Sequence, residues 1–280
     1  MRIHHLNCGT FCPFAARMVN GEGSYFERGK MVCHCLLIET DDDGLVLVDS
    51  GFGTQDCKNH TRVHSSLRKV GNPAMRLEET ALAQVQKLGF QPEDVRHIVL
   101  THLDLDHAGG LSDFPGAQIH VHEKEYQAAF TRPSLIEKRR YLPQQWAHGP
   151  HWKTYSEYGD DWFGLEAVRT LEGVKAEIAL VPLIGHTRGH AGIATKTSDG
   201  WLFHAGDAYF FHGQMENPPR CTSGMRFFQR MIAIDNRSRI QNLRRVQNLH
   251  REHHPQITVF SAHDPFEFDK IQTRTSNENR

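Results

Sequence analysis

His102, Asp104, Asp106 and His107 fall within six consecutive residues of the run Thr101-His102-Leu103-Asp104-Leu105-Asp106-His107-Ala108-Gly109-Gly110. Imidazole nitrogens and carboxylate oxygens ligate zinc and harder divalent ions, so four of them this close predict a metal-binding loop. An apolar run, Ile98-Val99-Leu100, leads in, as a buried strand would. In open α/β architecture, sites lie outside the carboxyl ends of strands. Leu103 and Leu105 alternate with His102, Asp104 and Asp106, so an extended segment sends the polar side chains to one face. His107 opens a short helix, and Gly109-Gly110 permits close backbone approach. A plainer reading is a polar loop with a chance histidine pair, in a chain with 20 histidines. Two more His-bearing strand ends and an Ala-Gly-Asp turn downstream weigh against it.

The elements that must present these residues repeat one grammar in both halves of the chain. Residues 31–39 read as a strand, Asp41-Asp42-Asp43-Gly44 as a turn, and Gly44 to Asp49 as the return, ending in Asp49-Ser50-Gly51. Glu177 to Leu183 is a strand ending in Gly185-His186-Thr187. Gly192 to Thr197 and Trp201 to Ala205 form a second hairpin, ending in Gly206-Asp207. Gln256 to Ser261 is the last strand and ends in Ala262-His263-Asp264. Further strands are expected near the amino terminus and over 117–121, with a Gly-rich aromatic loop over 21–29. The spacing of Leu77, Ala81, Leu82, Val85 and Leu88 predicts a helix over 76–88, stopped by Gly89. Residues 235–250 read as an Arg-rich amphipathic helix with Asp235 as N-cap and its arginines on a solvated face. Residues 122–170 are rich in aromatics and charge and broken by Pro133, Pro143 and Pro150. Within a single domain spanning 1–280, they read as an insertion of helical pieces over the site, or equally as a peripheral helical layer. The tail from Thr273 to Arg280 is polar and expected to fray.

Composition narrows the class. At 280 residues the chain can bury a full core. Lysine plus arginine is 32 against 33 for aspartate plus glutamate, a net charge of -1 that argues against broad nucleic-acid binding. The amino terminus lacks the apolar core of a signal peptide, and no run approaches a membrane span. The expectation is a soluble, cytoplasmic protein acting on a small molecule, with no nucleic-acid or membrane partner and a homodimer left open. Six cysteines are too few for a disulfide scaffold in a chain this long. Cys33 and Cys35 alternate onto one strand face and read as small buried hydrophobes. A structural zinc built from Cys8, Cys12, Cys33 and Cys35 lacks finger spacing.

His186, Asp207 and His263 join His102, Asp104, Asp106 and His107 as seven nitrogen and oxygen ligands. That is the inventory for two adjacent divalent ions, each taking about four to five ligands with solvent included. With the Asp49-Ser50-Gly51 prelude, Gly185-His186-Thr187-Arg188-Gly189-His190, Gly206-Asp207 and Ala262-His263-Asp264, nearly the whole chain resembles the metallo-β-lactamase fold superfamily. The resemblance implies an α/β fold, a four-layer αββα sandwich with two mixed sheets, and a dinuclear site at one edge. It implies His102, Asp104 and His186 at site one, and Asp106, His107 and His263 at site two. Asp207 would bridge the ions, with a solvent hydroxide as second bridge, and His190 would orient a neighbour. Zinc is the expected metal. The departure is Asp104, where the superfamily usually has histidine. Its extra charge makes manganese or iron more plausible, and glutamate occupies this position in the flavodiiron branch. Three meanings stand: a direct zinc ligand, a bias toward iron, or loss of site one. The first is favoured because His102, His186 and Asp207 remain.

Within the superfamily, the resemblance is to lactone hydrolases of the quorum-quenching and pyridoxolactone type, carried by Asp106-His107-Ala108-Gly109-Gly110, Asp207-Ala208-Tyr209 and His263-Asp264. It implies hydroxide attack on a lactone or ester carbonyl, with Asp106 orienting or deprotonating the nucleophile and Tyr209 donating to the oxyanion. The lactonase tyrosine lies one residue further along, so Tyr209 reads equally as a packing residue. An iron-dependent oxidoreductase is the alternative suggested by Asp104, and a nuclease a more remote one. The aromatic 122–170 segment suggests an apolar acyl or aromatic substrate.

Overall fold

The computed structural model describes residues 1–156 and 158–278, with side chains through Thr273. Strands β1 (Arg2–Phe11), β2 (Met31–Glu39), β3 (Leu45–Val48), β4 (Val95–Val99), β5 (Gln118–His122) and β6 (His151–Tyr155) form one sheet in chain order. Strands β7 (Asp160–Trp162), β8 (Leu165–Thr170), β9 (Ile178–Pro182), β10 (Ala191–Thr197), β11 (Gly200–His204) and β12 (Ile257–Phe260) form the second. Both are mixed. In the first, β1–β2 and β2–β3 are antiparallel and β3 to β6 parallel. In the second, only β11 and β12 are parallel.

Side-chain alternation turns these sheets into layers. Along β2, Leu36 and Ile38 face the second sheet and pack with Ile178, Leu180, Ile193 and Phe260. Cys35 and Leu37 point the other way, onto Ala81 and Val85 of the helix Ala81–Lys87 and Ala128 of the helix Glu123–Thr131. On the far side, Val181, Ala194, Phe203 and Val259 pack against Val246 and Leu249 of the helix Asn236–His253. The result is the expected αββα sandwich.

The chain departs from its sequence reading in instructive places. The helix expected over 76–88 starts at Ala81, because the Thr80 hydroxyl accepts from Ala83 N–H and caps it there. Residues 122–170 are helical only as far as the helix Leu135–Arg140 and a short 3-10 turn. They then supply β6 to the edge of the first sheet and β7 and β8 to the second. Most of their aromatics pack outside the sheets, Tyr126, Phe130, Trp146 and Trp152 on one another and Trp162 on Trp201 and Phe203, while Tyr155 is buried between the sheets. Asp235 does cap its helix, but Arg239 is buried and bonded to Gln229 and Asn236, not solvated. The tail is helical over Pro265–Glu278, and Asn279 and Arg280 lie outside the described residues. All six cysteines are free. No helix among the described residues is long and apolar enough to cross a membrane.

Candidate metal centre

Strand polarity brings the ligand-bearing loops to one edge. The carboxyl ends of β3, β4, β9, β11 and β12 meet there, with the start of β2. β4 delivers His102, Asp104, Asp106 and His107; β9 delivers His186, β11 Asp207 and β12 His263. Gly109 and Gly110 permit the approach expected of them: an added Cβ on Gly109 would lie 2.7 Å from Gly51 O, and one on Gly110 2.7 Å from Ser50 O. Gly206 adopts φ +54 with its face against His190, where a Cβ would lie 2.6 Å from Nε2.

Asp207 is the centre of the arrangement. Its Oδ2 lies 3.7 Å from His102 Nε2 and 3.2 Å from His186 Nε2. Its Oδ1 lies 3.3 Å from His107 Nε2 and 3.1 Å from His263 Nε2. Each carboxylate oxygen therefore serves one histidine pair, the layout of a bridging ligand. Asp106 Oδ2 adds to the second pair, 3.5 Å from His263 Nε2 and 3.8 Å from His107 Nε2. Asp104 Oδ2 adds to the first, 3.4 Å from His102 Nε2 and 3.2 Å from His186 Nε2. The four histidines and Asp207 are buried, whereas the Asp104 and Asp106 side chains are 17% and 15% exposed.

Outer hydrogen bonds set the tautomers of three of the four imidazoles. Asp49 Oδ2 accepts from His107 Nδ1 at 2.8 Å and from the Thr101 hydroxyl at 2.8 Å. Because that hydroxyl donates to Asp49, it accepts from His102 Nδ1, 3.0 Å away. His263 Nδ1 donates to Val32 O at 2.7 Å. Each ring thus has its proton on Nδ1 and turns Nε2 inward, the orientation a metal-ligating histidine needs. His102 Nε2 and Asp207 Oδ1 are buried without a hydrogen-bond partner. Buried polar atoms are rarely left so, and a cation at about 2.0–2.2 Å from each would satisfy them. The donor set fits divalent metal.

Charge agrees with this. Burial opposes ionisation of Asp207, yet His263, His107, His186 and His102 hold its carboxyl well below the usual range. Burial lowers the His186 imidazole to about 4, leaving its lone pair free. Against burial, Asp207, Asp49 and Asp106 pull His107 upward, so a proton competes with a cation there.

Residues 28–252 match the family profile described as Metallo-beta-lactamase superfamily. A curated relative from Mycobacterium tuberculosis, named a "probable metallo-hydrolase", is 41% identical over 265 residues, 95% of this chain and 81% of that protein. An N-acyl homoserine lactonase from Azorhizobium caulinodans is 30% identical over 199 residues, 70% of this chain and 71% of its own. The chain belongs to the metallo-β-lactamase superfamily. It is a metallo-hydrolase of that superfamily, and its buried His/Asp clusters are consistent with a metal site. An N-acyl homoserine lactone hydrolase, solved with the product N-hexanoyl-L-homoserine at its catalytic metal centre, shares the fold with a TM-score of 0.70 at 20% identity, covering 96% of this chain and 95% of that one.

All seven proposed ligands converge on this superfamily site, but Tyr209 does not join them. Its buried phenol donates to Glu267 at 2.9 and 3.1 Å, and its ring packs with Val246 and Leu249. Phe210, the next residue, stacks on His263 with ring centroids 4.9 Å apart and planes at 18°. Of the two readings the sequence left for Tyr209, these contacts favour the packing residue over the oxyanion donor.

Several contributors escaped the sequence reading. Arg140 places Nε 3.2 Å from Asp104 Oδ1 and donates to His186 O at 2.8 Å and to Ile232 O. Against the effect of burial, Arg140 and then His102 hold the Asp104 carboxyl well below its usual range. Buried Glu125 accepts from Leu103 N–H, Gly189 N–H and the Tyr141 hydroxyl, each at 3.0 Å, and so joins the two ligand loops. His190 Nδ1 donates to Leu183 O, leaving Nε2 to accept from Asp207 N–H at 2.8 Å. Arg140 and Glu125 carried no sequence signal, whereas His190 was expected to orient a neighbour from its place in the Gly-His-Thr-Arg-Gly-His run, and its neighbour here is the Asp207 backbone.

Proposed function

We propose that the chain holds two divalent cations, zinc in the first instance, and opens a lactone or cleaves a related carboxylic ester. The observation that carries this is the division of Asp207, one oxygen toward His102 and His186 and the other toward His107 and His263. His102, Asp104 and His186 would hold one ion, and Asp106, His107 and His263 the other, with Asp207 between them. Bound cations would acidify solvent and polarise a carbonyl. Asp106, partly exposed, orients the attacking water and accepts its proton. Thr101, Asp49 and Val32 keep the imidazoles aimed while charge develops.

The lactonase relative supports the substrate class. So does the apolar wall beside the site. Phe210, Phe11, Phe52 and Met225 share a cluster with Val19 and with the partly buried Phe228 and Ile232. The flanking segments expose Met18, Phe26, Phe227 and Met231, suited to an acyl chain. This wall, more than the 122–170 aromatics, supports an apolar substrate. The iron-dependent redox alternative drew on the added charge of Asp104, and Arg140 offsets that charge. Elemental analysis of protein purified without added metal tests stoichiometry and identity. A panel of lactones and esters, followed by proton release, tests the reaction; metal-loaded protein that turns over none of them overturns the substrate class.

A further inference from the structure

Cys33 lies on the part of β2 that reaches into the metal edge. Val32 N–H donates to His263 O at 3.3 Å and His34 N–H to Ala262 O at 2.8 Å, so the start of β2 is laced to the segment carrying His263. Cys33 sits between these two anchors, its own N–H donating to Asn7 Oδ1 at 3.1 Å. Its sulfur, a carboxylate oxygen of Asp106 and a ring nitrogen of His263 all lie within 4.8 Å of one another. A second such triad, His107, Asp207 and His263, shares the same histidine. The sulfur is fixed from behind. An added Cβ on Gly9 would lie 3.2 Å from Sγ and 2.5 Å from the Phe52 ring, so the strand leaves room for the thiol and little more. A filler side chain needs no sulfur, and Cys33 faces a carboxylate and an imidazole together. The buried, unpartnered Asp207 Oδ1 independently marks the same half of the site as a cation position.

We propose that Cys33 is a sulfur ligand of the second cation, alongside Asp106, His263, His107 and Asp207. This rests on the two-cation reading above. The thiolate is the ligating form, so cation binding forms the metal–sulfur bond and releases the S–H proton to solvent. The two halves then differ in kind. The half with Asp104 is oxygen- and nitrogen-bound and hard, and the half with Cys33 is softened toward zinc, cobalt and cadmium over manganese.

Loading the full-length protein with cobalt(II) tests the assignment without using activity. The expected result is two cobalt ions per chain, an intense near-ultraviolet sulfur-to-cobalt charge-transfer band, and loss of that band in Cys33→Ser. Wild-type protein carrying two cobalt ions but no band overturns the Cys33 assignment and leaves the two-cation reading standing. A band that persists in Cys33→Ser also overturns it, because another thiol is then the source. Protein that takes up no cobalt by elemental analysis removes both proposals. If Cys33→Ser does not fold, cadmium NMR of the wild-type protein decides: a resonance shifted to the sulfur-ligated range supports Cys33, and one in the nitrogen–oxygen range refutes it.

Discussion

Replacing Asp104 by histidine would restore the ligand usual for the superfamily, yet the structure predicts weaker metal binding. Arg140 is the reason. Its Nε lies 3.2 Å from Asp104 Oδ1, and the two side chains are only 10% and 17% exposed. Unit charges about 4 Å apart at an effective dielectric near 20 interact by about 4 kcal/mol. Desolvation takes back part of that, leaving about 2 kcal/mol, or about thirtyfold in a binding constant. Histidine at 104 leaves the guanidinium unpaired beside the cations, so affinity at site one should fall by about that factor. The double variant Asp104→His with Arg140→Met removes both charges and should recover most of the roughly thirtyfold loss, because residues in contact couple and their effects do not add. Chelator competition on metal-stripped protein measures affinity, elemental analysis gives stoichiometry, and thermal melts check the fold. Equal losses in the single and double variants would refute the pairing. So would an Asp104→His protein that binds both ions as tightly as wild type.

Four further outcomes follow from the geometry. Glu125→Gln swaps an acceptor for a donor against buried N–H groups of both ligand loops, and should cost about 2 kcal/mol in urea unfolding, with lowered metal content. Tyr209→Phe should lose about 1 kcal/mol of stability and leave hydrolase turnover nearly unchanged; a large fall in kcat would place Tyr209 in the catalytic set. Burial, with Asp264 adding, raises the Glu267 carboxyl to about 8. The folded state therefore keeps a proton that the unfolded chain releases above about 4.3, so stability falls as pH rises from there to about 8, and Glu267→Gln should flatten the decline in unfolding curves taken between about pH 5 and pH 8. Cations that bind only the folded chain stabilise it by about 4 kcal/mol at a thousandfold excess over Kd, so chelation should lower the Tm and added zinc restore it, whereas a Tm indifferent to zinc would count against the centre.

The seven proposed ligands were legible because they follow the ends of four strands, β4, β9, β11 and β12, and a strand end in this architecture is where a site belongs. Asp49 was visible as a polar strand end, but its role needed the 2.8 Å contact to His107. Arg140 follows Lys138 and Arg139 at the end of a short helix, and nothing in that basic run distinguishes it. Glu125 reads as an ordinary first-turn acid. Both act across long sequence separations, onto Asp104 and onto Leu103 and Gly189. The strands within 122–170 were hidden because β6 and β7 are half-exposed edge strands with charged and aromatic residues, not apolar runs. Cys33 looked like filler because periodicity gives the face of a strand and not what stands opposite it.

Asp104 also illustrates how a substitution at a metal centre can be compensated elsewhere. Read from sequence, aspartate for histidine adds one negative charge to the ligand set and makes its ion a weaker Lewis acid. In the folded chain, Arg140 cancels that charge, so the pair carries the same net charge as a neutral imidazole. The guanidinium also donates to the backbone of His186, proposed as a second ligand of the same ion, and to Ile232 at the end of the helix Ser223–Ile232. One side chain thus fixes the charge of one ligand and the position of another. Aspartate at 104 and arginine at 140 therefore make physical sense only together, and metal preference should follow the pair and not residue 104 alone.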